Sequence, residues 1–111
     1  MPKFNKVPDE DALESLFEAS HDKPVLLFLH DETCPLSSMA YDEILDVEGE
    51  VELVDVTTQD AVKRAVERRS GIKHESPQAI VLRKGVPTWN ASHGRIRANS
   101  VTEAVAAARD V

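Results

Sequence analysis

The sequence predicts an α/β protein, a central mixed sheet with helices on both faces. Three observations carry that expectation. Val25-Leu26-Leu27-Phe28-Leu29 is an unbroken apolar run bounded by polar residues, as a strand buried on both faces requires. Around it, helical stripes alternate with short strand-like segments, the pattern of crossover units in a layered fold. The last third holds two strand segments joined by a tight turn and then a helix, so the sheet closes with an antiparallel hairpin.

Each element has its local cause. Phe4 in the segment Met1–Val7 marks a short first strand. Pro8 followed by Asp9, Glu10 and Asp11 starts a helix, with acids at the positive end of the dipole and Ala12, Leu13, Leu16 and Phe17 forming the inward stripe. Lys23-Pro24 ends it before the buried run. Pro35 opens the second helix, whose expected inward residues are Leu36, Met39, Ala40, Ile44 and Val47, ending near Gly49. Val51–Val56 reads as the next strand. Thr57 or Thr58 is the expected cap of a third helix, with Ala61, Val62, Ala65 and Val66 inward and Gly71 as its left-handed terminator. After the loop Ile72–Pro77, Ala79–Leu82 and Val86–Ala91 flank the turn Arg83-Lys84-Gly85, with Pro87 restricted to an edge position. Ser100-Val101-Thr102-Glu103 matches a capping box and starts the last helix, with Val101, Ala104, Val105 and Ala108 inward. The resulting order, strand-helix-strand-helix-strand-helix-strand-strand-helix, is that of the thioredoxin fold.

Composition narrows the function. A chain of 111 residues suits one domain and one site. The longest strictly apolar runs, Val25–Leu29 and Ala104–Ala108, have five residues each, so neither a signal peptide nor a membrane span is expected. A net charge of −7 without an aromatic-interleaved basic stripe argues against nucleic acid. A single cysteine rules out an internal disulfide and points to a reducing compartment, the cytosol by default. The charge is uneven. Asp9–Asp22 carries six acids and no Lys or Arg, whereas Lys63–Lys73 carries Lys63, Arg64, Arg68, Arg69 and Lys73 against Glu67 alone. That basic segment reads either as a solvated helix face or as an electrostatic dock.

The candidate for chemistry is Cys34. It follows the buried strand and precedes Pro35, so the helix aims its free N–H groups at the sulfur and favours thiolate, by about 0.3–1 kcal/mol at an exposed site. Asp31 and Glu32 oppose this. Ser37, one helical turn on, is expected to turn its N–H and hydroxyl toward the sulfur, with Thr33 as a further donor. A lone intracellular cysteine also reads as a small buried apolar residue, but the strand-end, helix-start position is where an exposed functional thiol belongs. His21, His30, His74 and His93 lack close ligand spacing, so no metal site is expected.

Thr33-Cys34-Pro35-Leu36-Ser37, Lys73-His74-Glu75-Ser76-Pro77-Gln78 and Trp89-Asn90-Ala91-Ser92-His93, in that order, resemble the monothiol bacilliredoxins, thioredoxin-like proteins of the bacillithiol system. The resemblance implies a cis Ser76-Pro77 peptide beside Cys34, with the Ser76 backbone and Leu36 receiving the substrate. It also implies Cys34 as the nucleophile that removes bacillithiol from S-thiolated proteins, bacillithiol as co-substrate and no cofactor. Ser37 stands where dithiol thioredoxins carry a second cysteine, and Phe28 where they carry a buried aspartate. With no resolving thiol, release requires a thiol from outside. Since bacillithiol is anionic, Arg68, Arg69 and Lys73 are the expected dock. Two other readings stay open on the sequence: an iron–sulfur carrier using Cys34 and an external thiol, and a non-catalytic interaction module built on the same groove.

Overall fold

The computed structural model describes residues 1–111. In chain order the elements are β1 (Pro2–Lys6), α1 (Glu10–Ala19), β2 (Val25–His30), α2 (Pro35–Ile44), β3 (Gly49–Asp55), α3 (Asp60–Ser70), β4 (Gln78–Arg83), β5 (Val86–Ser92), a short 3-10 turn at His93–Arg95, and α4 (Ala98–Arg109). The sheet runs β1-β3-β2-β4-β5. β1, β3 and β2 are mutually parallel, whereas β4 runs antiparallel to both β2 and β5. This is the α/β thioredoxin-like architecture the element order predicts.

All six residues of β2 are buried, because the strand lies at the sheet's centre with a core on each face. Leu27 and Leu29 join Leu13 and Phe17 of α1 and Val62, Ala65 and Val66 of α3. Leu26 and Phe28 point the other way and join Ala40 and Ile44 of α2 and Val101 and Ala108 of α4. The period-two alternation therefore splits one apolar run between two cores. It also puts α1 and α3 on one face and α2 and α4 on the other.

Local signals hold where short-range chemistry decides. The Asp9 carboxylate caps α1, accepting from the Ala12 N–H at 2.8 Å. Gly71 ends α3 at φ 74°, where a Cβ would be strained. The hairpin turn is tighter than the three-residue reading. Only Lys84 and Gly85 separate the strands, at φ 57° and 79°, the positive values of a primed two-residue turn. Pro87 lies on the edge strand beside a register shift at Val81/Leu82, where its missing N–H costs no regular ladder bond.

Four expectations are corrected by packing. Leu36 and Met39 of α2 are 50% and 66% exposed, and Ser37 turns inward beside Ala40 and Ile44. The helix stops at Ile44, and Val47 is buried from the following turn rather than from the helix. Neither Thr57 nor Thr58 caps α3. Thr57 donates its N–H and hydroxyl to the Asp55 carboxylate, the helix starts after Gln59, and Ala61 faces solvent. The Ser100–Glu103 box lies inside α4, whose first turn begins at Ala98. There the Ala98 N–H donates to Glu43 Oε1 at 2.9 Å, so a carboxylate on α2 caps α4 from 55 residues away.

Candidate active site

The end of β2 delivers the chain to the site. Cys34 is a half-buried residue and the N-cap of α2 in extended conformation, with Pro35 at the first helical position. The Cys34 N–H donates to the Asp31 carbonyl at 3.1 Å, closing a turn over the end of the strand. In the first turn of α2, the Ser37 and Ser38 N–H groups both donate to the Cys34 carbonyl. Pro35 has no N–H, so the Leu36 amide is the donor of this turn without a protein acceptor. An N-cap side chain ordinarily receives an amide at that position or the next, and here the N-cap side chain is the thiol.

Ser37 and Thr33 do not serve the sulfur in the expected way. Ser37 is fully buried, and its Oγ accepts from the Asp31 N–H at 3.2 Å. Thr33 gives both its N–H and its hydroxyl to the Asp31 carboxylate, at 2.8 and 2.6 Å. These bonds hold the Asp31 carboxyl below its usual range, the Thr33 hydroxyl first among them. The two residues thus shape the turn carrying Cys34, and no side-chain hydrogen bond reaches the thiol.

Leu29 pairs with Gln78 in antiparallel register, so continuing the ladder one step brings Pro77 level with His30 and leads Ser76 toward the Cys34 turn. Ser76-Pro77 is a cis peptide. Pro77 is buried, and its carbonyl accepts from the His93 N–H at 3.1 Å. Ser76 makes no backbone hydrogen bond, so its N–H and C=O remain unpaired at the sheet's end. The exposed Leu36 and Met39 add an apolar flank to this surface.

The expected basic dock divides. Arg69 Nε pairs with Glu14 at 2.7 Å while its guanidinium stacks 4.3 Å above the Phe17 ring, and Arg68 reaches Glu10 at 3.9 Å. Both arginines therefore face α1, across the sheet from α2, and are not gathered with Cys34. Their acidic partners come from the Asp9–Asp22 run, so the two opposite charge blocks of the sequence meet each other. Lys73 is exposed in the loop before Ser76. Near it, the Ser92 hydroxyl holds the Glu75 carboxyl below its usual range, with His93, Lys73 and Arg95 acting in the same direction. His93 and Arg95 come from the 3-10 turn, which packs on α2. Sequence reasoning gave them no binding role. The only pointer was His93 in the third quoted segment, because a turn after β5 meets α2 only in three dimensions.

Comparison with known proteins agrees with this geometry. The family model of monothiol bacilliredoxin BrxC matches residues 5–101. The chain belongs to the monothiol bacilliredoxin family. Among solved structures, it is similar to a protein provisionally described as an oxidoreductase with a thioredoxin fold, at 31% identity and a TM-score of 0.79, covering 91% of this chain and 92% of the other. A point mutant of the thioredoxin from Halobacterium salinarum NRC-1 superposes at a TM-score of 0.75 with 13% identity, covering 98% and 93%. The short form of spinach chloroplast thioredoxin f does so at 0.68 with 20% identity, covering 96% and 94%. The last two show the fold alone. This monothiol bacilliredoxin is thus a thiol redox protein whose one cysteine sits at a helix start. No helix is long and apolar enough to cross a membrane.

Proposed function

We propose that the protein removes bacillithiol from mixed disulfides on other cytosolic proteins, with Cys34 as nucleophile and no resident cofactor. The observation that supports this most directly is a free, half-buried cysteine at the start of α2, with no second cysteine in the chain to resolve it. The Cys34 thiolate attacks the bacillithiol sulfur of the substrate disulfide. A Cys34–bacillithiol disulfide forms, and the substrate leaves as a thiolate that takes up a proton. A second small-thiol thiolate then attacks the bacillithiol sulfur on Cys34, a small-molecule disulfide leaves, and the Cys34 thiolate is restored.

The unpaired Ser76 backbone supplies strand-like hydrogen bonds to the extended substrate, and Leu36 supplies apolar contact. For the anionic end of the small thiol, Lys73 is joined by His93 and Arg95 in place of the two arginines engaged on α1.

The test mixes a bacillithiolated protein with reduced enzyme and follows both by mass. Loss of the adduct from the substrate, with the same mass gained on the enzyme, is the expected result, and Cys34→Ser removes all transfer. No transfer by the native protein would overturn the reading. A coloured dimer on anaerobic iron–sulfur reconstitution with the small thiol would then favour the carrier. Partner binding undiminished in Cys34→Ser would favour the interaction module.

A further inference from the structure

At the carboxyl ends of the three parallel strands, beside the Cys34 turn, lies a cavity of about 140 Å³. Its position has a topological cause. After β1 and β3 the chain turns to the α1/α3 face, and after β2 it turns to the α2/α4 face, so neighbouring loops diverge between β2 and β3. That divergence opens a crevice where α/β sheets bind ligands.

The wall of this crevice is mixed, with Val7, Pro8 and Leu53 on its apolar part and a polar part in which acids outnumber bases. It includes Glu32, Asp55, Thr58, Gln59 and His30, with Lys6 the one fixed cation. His30 stands level with Asp55 in the ladder and is 9% exposed. Its ring stacks on Phe28 and lies 5.2 Å from the Tyr41 ring, while Nδ1 is buried without a hydrogen-bond partner. A buried imidazole nitrogen left unpaired on a residue that lines a cavity is unusual, because unmet hydrogen-bonding groups are costly. Asp55 is oriented by Thr57, and Glu32 is two residues from Cys34 in the same turn.

We infer that this crevice is the subsite for the amine of the small thiol, and that the protein selects thiols carrying a free amine two carbons from sulfur. The inference rests on thiol exchange at Cys34 and adds to it a substrate class. When such a thiol is disulfide-bonded to Cys34, a bond of about 2.05 Å and a two-carbon arm carry its ammonium past the sulfur toward the strand ends. Glu32 and Asp55 supply the opposite charge there, and Gln59 and Thr58 supply neutral hydrogen-bonding groups. A volume of 140 Å³ holds about four or five water-sized groups, which suits an aminoethyl arm better than a bulky acylated amine.

The experiment compares cystamine with its N,N′-diacetyl derivative as disulfides attacked by Cys34, using bis(2-hydroxyethyl) disulfide as a reagent without charge. In each reaction the Cys34 thiolate takes one sulfur and releases the other half as a thiol. Wild type should favour cystamine over the diacetyl form by at least about fivefold beyond their intrinsic ratio with a free thiol, the upper range for a partly exposed ion pair. Glu32→Gln, alone and with Asp55→Asn, should reduce that preference to below about twofold. A Glu18→Gln/Glu103→Gln variant, with the same charge change made elsewhere, should retain it. Each rate is taken relative to that of the hydroxyethyl reagent with the same protein, which divides out the change in Cys34 reactivity that removing the Glu32 charge brings. A cystamine preference no greater than that of a free thiol, or one that survives in the crevice variants or vanishes in the remote one, would overturn the subsite. Failure of every disulfide to react would instead defeat the exchange reading itself.

Discussion

Replacing Ser37 by Ala separates two roles that the residue's position allows. The side chain is fully buried, and its one hydrogen bond is the 3.2 Å contact in which Oγ accepts from the Asp31 N–H. Deleting the hydroxyl leaves that amide unpaired in a partly buried turn, a loss of about 1–2 kcal/mol, in the lower part of the range for an orphaned donor because the bond is long and not fully enclosed. For a domain of this size, that lowers Tm by about 4–10 °C. Because no hydrogen bond joins Ser37 to the sulfur, the rate of Cys34 alkylation by iodoacetamide, followed against pH well below the melting range, should shift by less than about threefold. Thermal unfolding and the alkylation profile together decide. Unchanged Tm with a large loss of alkylation rate at neutral pH would show the hydroxyl stabilising the thiolate and refute the architectural role.

Two further outcomes follow from the packing. Glu43→Ala should cost about 1 kcal/mol in urea unfolding, the value of a helix cap, whereas Ser100→Ala, inside α4 and not at its start, should be neutral or slightly stabilising; equal losses from both would restore the local capping box. Burial lowers the His30 pKa below its ordinary 6.5, against the raising influence of Glu32, Asp55 and Asp31. The unfolded chain therefore binds the proton more readily, so this residue's share of stability is present above pH 6.5 and is lost as pH falls from there through the lower folded value. His74, also lowered mainly by burial, acts in the same direction. His30→Phe, which keeps a ring against Phe28 and Tyr41, should flatten the stability-against-pH slope between about pH 7 and 5; an unchanged slope would remove His30 from the acid response.

Much of this protein was legible one residue at a time. The apolar run at β2, the acids before α1, Pro35 after Cys34 and Gly71 after α3 each act within a few residues, through burial period, helix dipole or backbone sterics. Element order and the place of the one thiol follow from these signals. Only the tertiary structure decided which acceptor each donor finds. Ser37, Thr33 and Asp31 share a turn, yet whether the hydroxyls face the sulfur or the strand end depends on how α2 seats against β2. Arg68 and Arg69 read as free charge until α1 and α3 pack on one face of the sheet and bring Glu10 and Glu14 to meet them. The cap of α4 and the acidic crevice likewise join segments distant along the chain. Local propensity sets what an element is, whereas hydrogen bonds and ion pairs are satisfied in space, by whichever partner the fold brings within reach.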